Sequence, residues 1–452
     1  MVGFSGLSEN STGMQIDLRR RGPLFLFLSL LIFLFLNGIS RISVSSDFKD
    51  YFEASKNFSA HKDLYDLDVL DELVQELESG KLDLKDIFKP EVFVRLQTKM
   101  DNVGAYIYPP TFAFLLSPLS YLEYPVASGI FFTLNFAAMV ASLFLIARLL
   151  GKEKKFLFLT CLVFLCYRFI ENHQNNNQVG FILLFLVLSA VSVKKDWLAG
   201  LLLSLAIVIK ITPAAFLFYF LVKKRYSVIL YTLGFGVLWV VLPAVADPAF
   251  TWKMNGTWYE LVLEKYLKSP ALRAWKNNQS LSSTVAKYFL PYADIMNQGR
   301  FGMPFLELNV KQVKWILMLS TLGISAPYLY KAYKGTSDGF LLSGLFFFSV
   351  MFSGISWVHA FVFLLFPTAF VLSSFWPVEE RLPNLAEWKE ILQRNKAAFV
   401  FLILALLVLL LNRSFIGSTA EEKLMMFSYL FYICLIQYLC LFFLRPERLK
   451  NS

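Results

Sequence analysis

Apolar runs of helical length recur along most of this chain, separated by short polar stretches that carry most of its charge. Read as helices, the runs fall at 23–42, 125–149, 156–171, 178–193, 197–209, 213–222, 226–246, 311–331, 338–353, 357–376, 397–412 and 422–444. A helix needs about 20 apolar residues to cross the hydrocarbon of a bilayer. The pattern therefore predicts one polytopic, all-α membrane domain over residues 1–452, not a soluble domain with an anchor. Basic clusters set the threading, because Lys and Arg concentrate in short cytoplasmic loops. They lie at Arg19–Arg21, at Arg148 with Lys152, Lys154 and Lys155, at Lys194–Lys195, at Lys223–Arg225, at Lys331 with Lys334, between Glu379 and Lys396, and between Arg445 and Lys450. Placing them all on one side requires about twelve full or partial crossings, with both termini cytoplasmic. The runs 197–209 and 213–222 are too short for two full spans at about 1.5 Å per residue. Pro213 also breaks the second run just after Lys210. They are expected to form a hairpin whose tip stops below the outer surface. Non-helical backbone at that depth must be buried in protein or line a watery cavity.

The remaining long segments, 43–108 and 247–310, fall on the outer face in this threading. Both are too polar to span and too patterned for slack linkers. Leu67–Leu77 and Leu82–Leu96 read as amphipathic helices on the membrane interface. The aromatic groups at Tyr121–Tyr124 and Trp252–Tyr259 suit headgroup depth. Pro109–Leu122 is apolar but short, and its neighbours require both ends outside, so it is expected to dip in and return. Residues 376–396 form a cytoplasmic loop.

Composition supports the membrane reading: 57% of residues are hydrophobic and 17% charged, against about a quarter charged in soluble domains. The net charge of +10 is assigned to cytoplasmic loops, and no nucleic-acid partner is expected. Cys161, Cys166, Cys434 and Cys440 all lie in apolar runs, so they read as small hydrophobes, with neither disulfide nor zinc spacing. Arg19–Arg21 before the first run resembles the start of a signal peptide, but no clear small-residue cleavage site follows. An uncleaved first transmembrane helix is the expectation.

Unusual polar residues gather at the outer ends of the runs. Asp47, Tyr51, Gln178, Lys210, Asn278 and His359 all fall there. That asymmetry suits an enzyme working at one face more than a transporter with a site at mid-bilayer. Asp47, placed just after the first run, can take a proton from an acceptor hydroxyl; as bland a reading makes Ser46-Asp47 a helix cap. Lys210 inside apolar sequence is a functional hypothesis by default, suited to holding a phosphate; the alternative is snorkelling. His359, in Gly354-Ile355-Ser356-Trp357-Val358-His359, is either a ligand-facing group or a packing residue. Arg168, Glu171, His173 and the amides Gln174 to Gln178 lie at the next outer turn, where amides bind sugar hydroxyls or cap helix ends. Asn255-Gly256-Thr257 and Asn278-Gln279-Ser280 match the weak N-glycosylation pattern. No Walker loop, dinucleotide fingerprint or HExxH occurs, and Asp66-Leu67-Asp68 reads as a solvated helix face, not a metal site. No cofactor and no metal ligand set is therefore expected. Chemistry on the outer face must draw on an activated substrate already in the membrane, and lipid-phosphate sugars are the natural candidates.

Several landmarks stand in one order: Asp47-Phe48-Lys49-Asp50-Tyr51 with Ala54; Tyr106 to Pro110 leading to Ser117-Pro118-Leu119; Asn177-Gln178-Val179-Gly180; Ala199-Gly200; Lys210 to Pro213; the basic turn Lys223–Arg225; Asn278 to Leu281; and Ser356-Trp357-Val358-His359 before Pro367. In that order they resemble glycosyltransferase family 87, polyprenyl-phosphate-mannose-dependent alpha-mannosyltransferases of the GT-C membrane fold. The resemblance covers roughly residues 25 to 375. One element departs, since the family's Gly-Gln-x-Asn reads Asn177-Gln178-Val179-Gly180 here.

The resemblance implies inverting transfer of a hexose, mannose in the family, from a polyprenyl-phosphate donor to a glycan, lipid or protein acceptor outside a bacterial cytoplasmic membrane. It makes Asp47 the general base and puts Lys210 and His359 at the donor phosphate or reacting centre. Tyr51, Tyr108, Gln178, Asn278, Gln279 and Trp357 become substrate contacts. The competing reading is a flippase or transporter of a lipid-linked sugar, which would show paired broken helices at mid-membrane; a noncatalytic scaffold leaves Lys210 unexplained.

Overall fold

In the computed structural model the described residues are 9–42, with side chains from residue 21, then 46–65, 76, 79–83, 86, 106–264, 273–291, 303–377 and 380–444. The amphipathic stretches expected at Leu67–Leu77 and Leu82–Leu96, the pair Asp66 and Asp68, and the basic cluster Arg445–Lys450 lie outside them but for isolated positions. Among the described residues the chain is all-helical.

Among the described residues, three helices are long and apolar enough to cross a membrane alone. They are the apolar part, Arg21–Ile39, of α1 (Glu9–Ile39); α4 (Tyr124–Leu149), which follows α2 (Asp47–Ser59) and α3 (Pro110–Leu116); and α10 (Tyr226–Val241) with its short 3-10 extension to Val245. Between them lie α5 (Phe156–Leu165), α6 (Tyr167–Asn175), α7 (Gly180–Ser192), α8 (Asp196–Ile209) and α9 (Leu217–Val222). The chain continues through α11 (Pro248–Trp258), α12 (Leu281–Phe289), α13 (Val310–Lys334), α14 (Asp338–Met351) and α15 (Leu365–Ser373). It ends with α16 (Leu385–Arg394), α17 (Lys396–Leu410), α18 (Arg413–Ile416), α19 (Ser418–Met426) and α20 (Tyr429–Phe443).

Helices occur at every apolar run, and among the described residues the full or partial crossings expected, about twelve, divide into three full spans, three bent pairs and shorter apolar helices. Counting each bent pair as one span raises the number to six. The pair α5 and α6 bends by 69° at Cys166, and α19 and α20 bend by 60° at Ser428. Helices such as α7, with 13 residues, reach only ~20 Å at 1.5 Å per residue, short of the ~30 Å hydrocarbon core. The 197–222 hairpin forms as α8, a 3-10 turn at Thr212–Phe216 and α9. The loop expected at 376–396 contains α16, amphipathic and set at 112° to α17.

Packing explains how these elements converge. Gly200 lets α8 lie against the backbone of α10, since a Cβ there would fall 2.9 Å from Thr232 N. Asp196 at the start of α8 pairs with Arg225 at 2.6 Å, fixing the far end of the same hairpin. On α2, Phe48, Tyr51, Phe52, Ser55 and Phe58 are buried, a spacing that puts them on one helix face. Phe48 stacks on Phe131 of α4 with centroids 4.7 Å apart.

Candidate active site

Asp47 opens α2, four residues before Tyr51, so the two side chains share the inward face of that helix. Gln178 meets both: its Nε2 donates to Asp47 Oδ2, and its Oε1 accepts from the Tyr51 hydroxyl at 2.5 Å. The Tyr108 hydroxyl lies 2.9 Å from that of Tyr51 and 3.3 Å from the same Gln178 oxygen. His359 Nδ1 stands 4.0 Å from Asp47 Oδ2. Lys210 Nζ lies 5.7 Å from the centre of the Tyr108 ring, and its charge acts on Asp47. Burial raises the Asp47 carboxyl above the ordinary carboxylate value, opposed by the Gln178 hydrogen bond and by Lys210. Burial and the neighbouring Asp47 charge push Asp50 up to about 6.

The turn that delivers Gln178 follows from local chemistry. Asn177 has φ +44, left-handed backbone that Asn tolerates better than most residues. Its Nδ2 donates to the backbone oxygen and the Oγ of Ser128 on α4, at 3.1 and 3.0 Å. Gln178 N then donates back to His173 O at 3.2 Å, closing α6. The departure at Gly180 has a steric reason, because a Cβ there would sit 2.9 Å from His173 Nε2. That nitrogen accepts from Phe181 N at 3.2 Å, so the neutral imidazole carries its proton on Nδ1.

Lys210 ends α8 in extended backbone, φ −151 and ψ 133, immediately before the 3-10 turn. It lines a cavity of about 490 Å³ with Tyr108, Thr212, Trp258, Arg273 and Ser353. Neither Asp47 nor His359 is a lining residue. The amine and the acid instead meet across Tyr108, which faces the cavity and shares Gln178 with Asp47. Among the described residues no group of three or more His, Cys, Asp or Glu is placed to hold a metal ion.

Asn278 and Gln279 have their polar atoms occupied elsewhere. Asn278 Nδ2 donates to Gly354 O at 2.9 Å and to Arg273 O at 3.1 Å, while its Oδ1 accepts from Ser356 N at 2.9 Å. Gln279 Nε2 donates to Met425 O at 2.7 Å, and its backbone N donates to Ser356 O at 2.8 Å. Together they fasten the 353–357 loop from which His359 projects. Trp357 is partly exposed, its ring 6.0 Å from that of His359.

Two buried groups carry more of this architecture than their sequence context signals. His173, fully buried, braces the turn before α7 through its bond from Phe181 N. Lys287 is fully buried, and its Nζ donates to Asn278 O and Met425 O at 3.0 Å each. A basic residue on an amphipathic helix looks solvent-facing by sequence; only its carbonyl partners reveal otherwise.

The family profile of glycosyltransferase family 87 matches residues 106–354. That range holds Tyr108, Gln178, Lys210, Asn278 and Gln279 and leaves Asp47, Tyr51, Trp357 and His359 outside. The chain is 27% identical over 321 residues to an alpha-(1->3)-arabinofuranosyltransferase of Corynebacterium glutamicum, covering 63% of this chain and 69% of the relative. It is also 27% identical over 273 residues to a polyprenol-phosphate-mannose-dependent alpha-(1-2)-phosphatidylinositol pentamannoside mannosyltransferase of Mycolicibacterium smegmatis, covering 58% of this chain and 59% of the relative. No solved structure matches the chain.

Proposed function

Because the chain belongs to glycosyltransferase family 87, we propose that it transfers a sugar, mannose, from a polyprenyl-phosphate donor to an acceptor hydroxyl at the outer face of the cytoplasmic membrane. The observation that carries the reading is the meeting of Asp47, Gln178, Lys210 and His359, from four separate segments, around one partly buried carboxylate. Asp47 is the base. It takes the acceptor's proton as the acceptor oxygen bonds to the anomeric carbon. The bond from that carbon to the phosphate oxygen breaks, and the lipid phosphate leaves with the electron pair. Configuration inverts, and no covalent enzyme intermediate forms.

Lys210 stabilises the leaving phosphate, because a fixed cation counts for more in a water-poor site than in bulk water. The cavity beside it has the size of a small-ligand site and mostly apolar walls, such as Phe348, Phe352 and Ile355, for the first isoprene units. In this reading His359, 4.0 Å from Asp47, assists at the donor phosphate or reacting centre, and Trp357 offers a face for the sugar. Gln178, Tyr51 and Tyr108 hold the base in place. Asn278 and Gln279 hold the loop under His359 instead of touching substrate.

Mannose rests on the Mycolicibacterium smegmatis relative, whose name specifies a polyprenol-phosphate-mannose donor. The corynebacterial relative's name gives a second reading, arabinofuranosyl transfer. The acceptor to try first is a phosphatidylinositol mannoside, again from the Mycolicibacterium relative's name. The test incubates purified protein with polyprenyl-phosphate mannose or arabinose and a membrane extract, followed by mass analysis of products. A product one hexose heavier supports mannose, and one pentose heavier supports arabinose. Movement of intact lipid-linked sugar without bond cleavage would replace both with the flippase.

A further inference from the structure

A second cavity lies far from Asp47, and α14 measures the separation. Ser349 near the C-terminus of α14 lines the Lys210 cavity, whereas Ser337 and Phe340 at its N-terminus line the second one. Its 14 residues set the two ends ~20 Å apart at 1.5 Å per residue. The second cavity has a volume of about 450 Å³ and sits where the ends of α13, α15 and α20 meet the start of α14. Lys152 and Lys331 line it, and no Asp or Glu does among the described residues. Both lysines belong to the basic clusters that the threading assigns to the cytoplasmic face.

The lining is built, not incidental. Lys331 Nζ lies 4.2 Å from the centre of the Phe340 ring and 5.4 Å from that of Phe442. Aromatic faces orient an ammonium without cancelling its charge. Lys152 Nζ donates to Trp376 O at 3.3 Å. Trp376 is 3% exposed, and its indole N–H is buried with no acceptor among the described residues. A buried donor left unsatisfied destabilises the fold unless something else supplies the acceptor. The first turn of α14 adds backbone N–H groups. Its one acid, Asp338, is paired with Lys223 at 2.6 Å. Apolar walls at Phe370, Leu441 and Leu444 complete the cavity.

We infer that this cavity binds the phosphate headgroup of an anionic membrane lipid in the leaflet opposite the candidate active site. Two cations, an orphan N–H and a helix N-terminus select the phosphate, and the apolar walls suit the start of an acyl chain. Basic pockets between transmembrane helices on the cytoplasmic side take such headgroups. A free phosphate ion would leave the apolar walls unused. The inference does not depend on sugar transfer.

The test uses the full-length protein, delipidated in detergent and titrated with phosphatidylglycerol or phosphatidylcholine, with bound lipid read by native mass spectrometry. Phosphatidylglycerol is expected to bind preferentially. The preference should fall roughly fivefold for each lysine replaced in Lys152→Gln and Lys331→Gln. Trp376→Phe, which keeps the ring and removes the donor, should weaken binding by a smaller factor. Equal binding of the two lipids, or an unchanged preference in the double variant, overturns the proposal. So does complete displacement of the lipid by millimolar inorganic phosphate, which would give the site to a soluble anion. Melting curves separate loss of the site from loss of the fold; if the double variant does not fold, Lys331→Gln alone is read in the same way.

Discussion

Gln178 donates through Nε2 to Asp47 while its Oε1 accepts from Tyr51 at 2.5 Å. One amide thereby orients the carboxylate and joins α2 to the turn between α6 and α7. If Asp47 is the base, Asp47→Asn keeps that contact, because an Asn side-chain oxygen also accepts from Gln178. The expected result is a normal melting curve with transfer reduced by about 10²–10⁴-fold, the usual contribution of a positioned base. A radiolabelled-donor assay beside a thermal melt checks it, and near-normal turnover would remove Asp47 from the reaction.

Gln178→Leu removes the hydrogen bond that lowers the Asp47 pKa and leaves burial, which raises it. A base works when ionised, so a higher pKa moves the acidic limb of the rate profile to higher pH. The same change takes the Gln178 acceptor from the Tyr51–Tyr108 hydroxyl pair and leaves one of its two donors unmatched, at a cost of about 1–3 kcal/mol for a buried group without its partner. Rate–pH profiles of both proteins check the sign; a limb that stays in place or moves down contradicts it.

Asp50 titrates near 6 because burial, then Asp47, disfavours its charge. A carboxyl raised above its unfolded value binds its proton more tightly in the native state, so its contribution is greatest below the unfolded value. It is lost as pH rises through about 6. Asp50→Asn is therefore expected to raise the melting temperature at pH 7.5 and to change it much less at pH 4.5. Equal effects at both values would mean that Asp50 is not held this way.

Lys210 faces the cavity while Asp47 lies beyond Tyr108. If the lysine holds the donor phosphate, Lys210→Gln should raise the KM for the lipid-phosphate sugar by about tenfold or more, the scale of a hydrogen bond to a charged group. The KM for acceptor should change little. Kinetics with each substrate varied in turn separate the two, and an equal rise in both would assign Lys210 to holding the whole site together.

The parts of this site visible in the sequence are those where a costly residue stands against its surroundings. Lys210 in an apolar run, Asp47 at the end of one and Gln178 in a run of amides all stand out, and all reach the cluster. What stayed hidden has a common physical cause. Asn278, Gln279 and Lys287 are satisfied by backbone carbonyls of Gly354 and Met425, and a carbonyl leaves no mark on sequence. The same two amides look like sugar ligands until those partners are known. The bend at Cys166 has neither Pro nor Gly to announce it, so α5 and α6 read as one helix. His173 draws its role from packing at the turn, where a Cβ at Gly180 would sit 2.9 Å from its Nε2, and sequence spacing does not announce such a close approach.

Arg168 offers the strongest test of how the site is held. Its guanidinium donates to Leu411 O at 2.6 Å, to Val408 O at 3.1 Å, to the Tyr429 hydroxyl and to Glu421 Oε1 at 2.6 Å. These bonds tie α6, which carries His173 and leads to Gln178, to the ends of α17 and α20 and to α19. Arg168 and Glu421 side chains are 7% and 16% exposed, and Glu421 has a second, exposed partner in Arg413 at 3.4 Å. Breaking a buried pair costs about 3–5 kcal/mol. Arg168→Met is expected to lose stability toward the lower end of that scale, because Glu421 keeps Arg413 and the Tyr429 hydroxyl still donates to Leu411 O at 3.1 Å. Glu421→Gln should lose less, since its amide oxygen still accepts from the guanidinium. The contrast identifies the cause: if the two variants melt alike, charge pairing alone holds α6, and if Arg168→Met melts normally, the C-terminal helices do not brace the site at all.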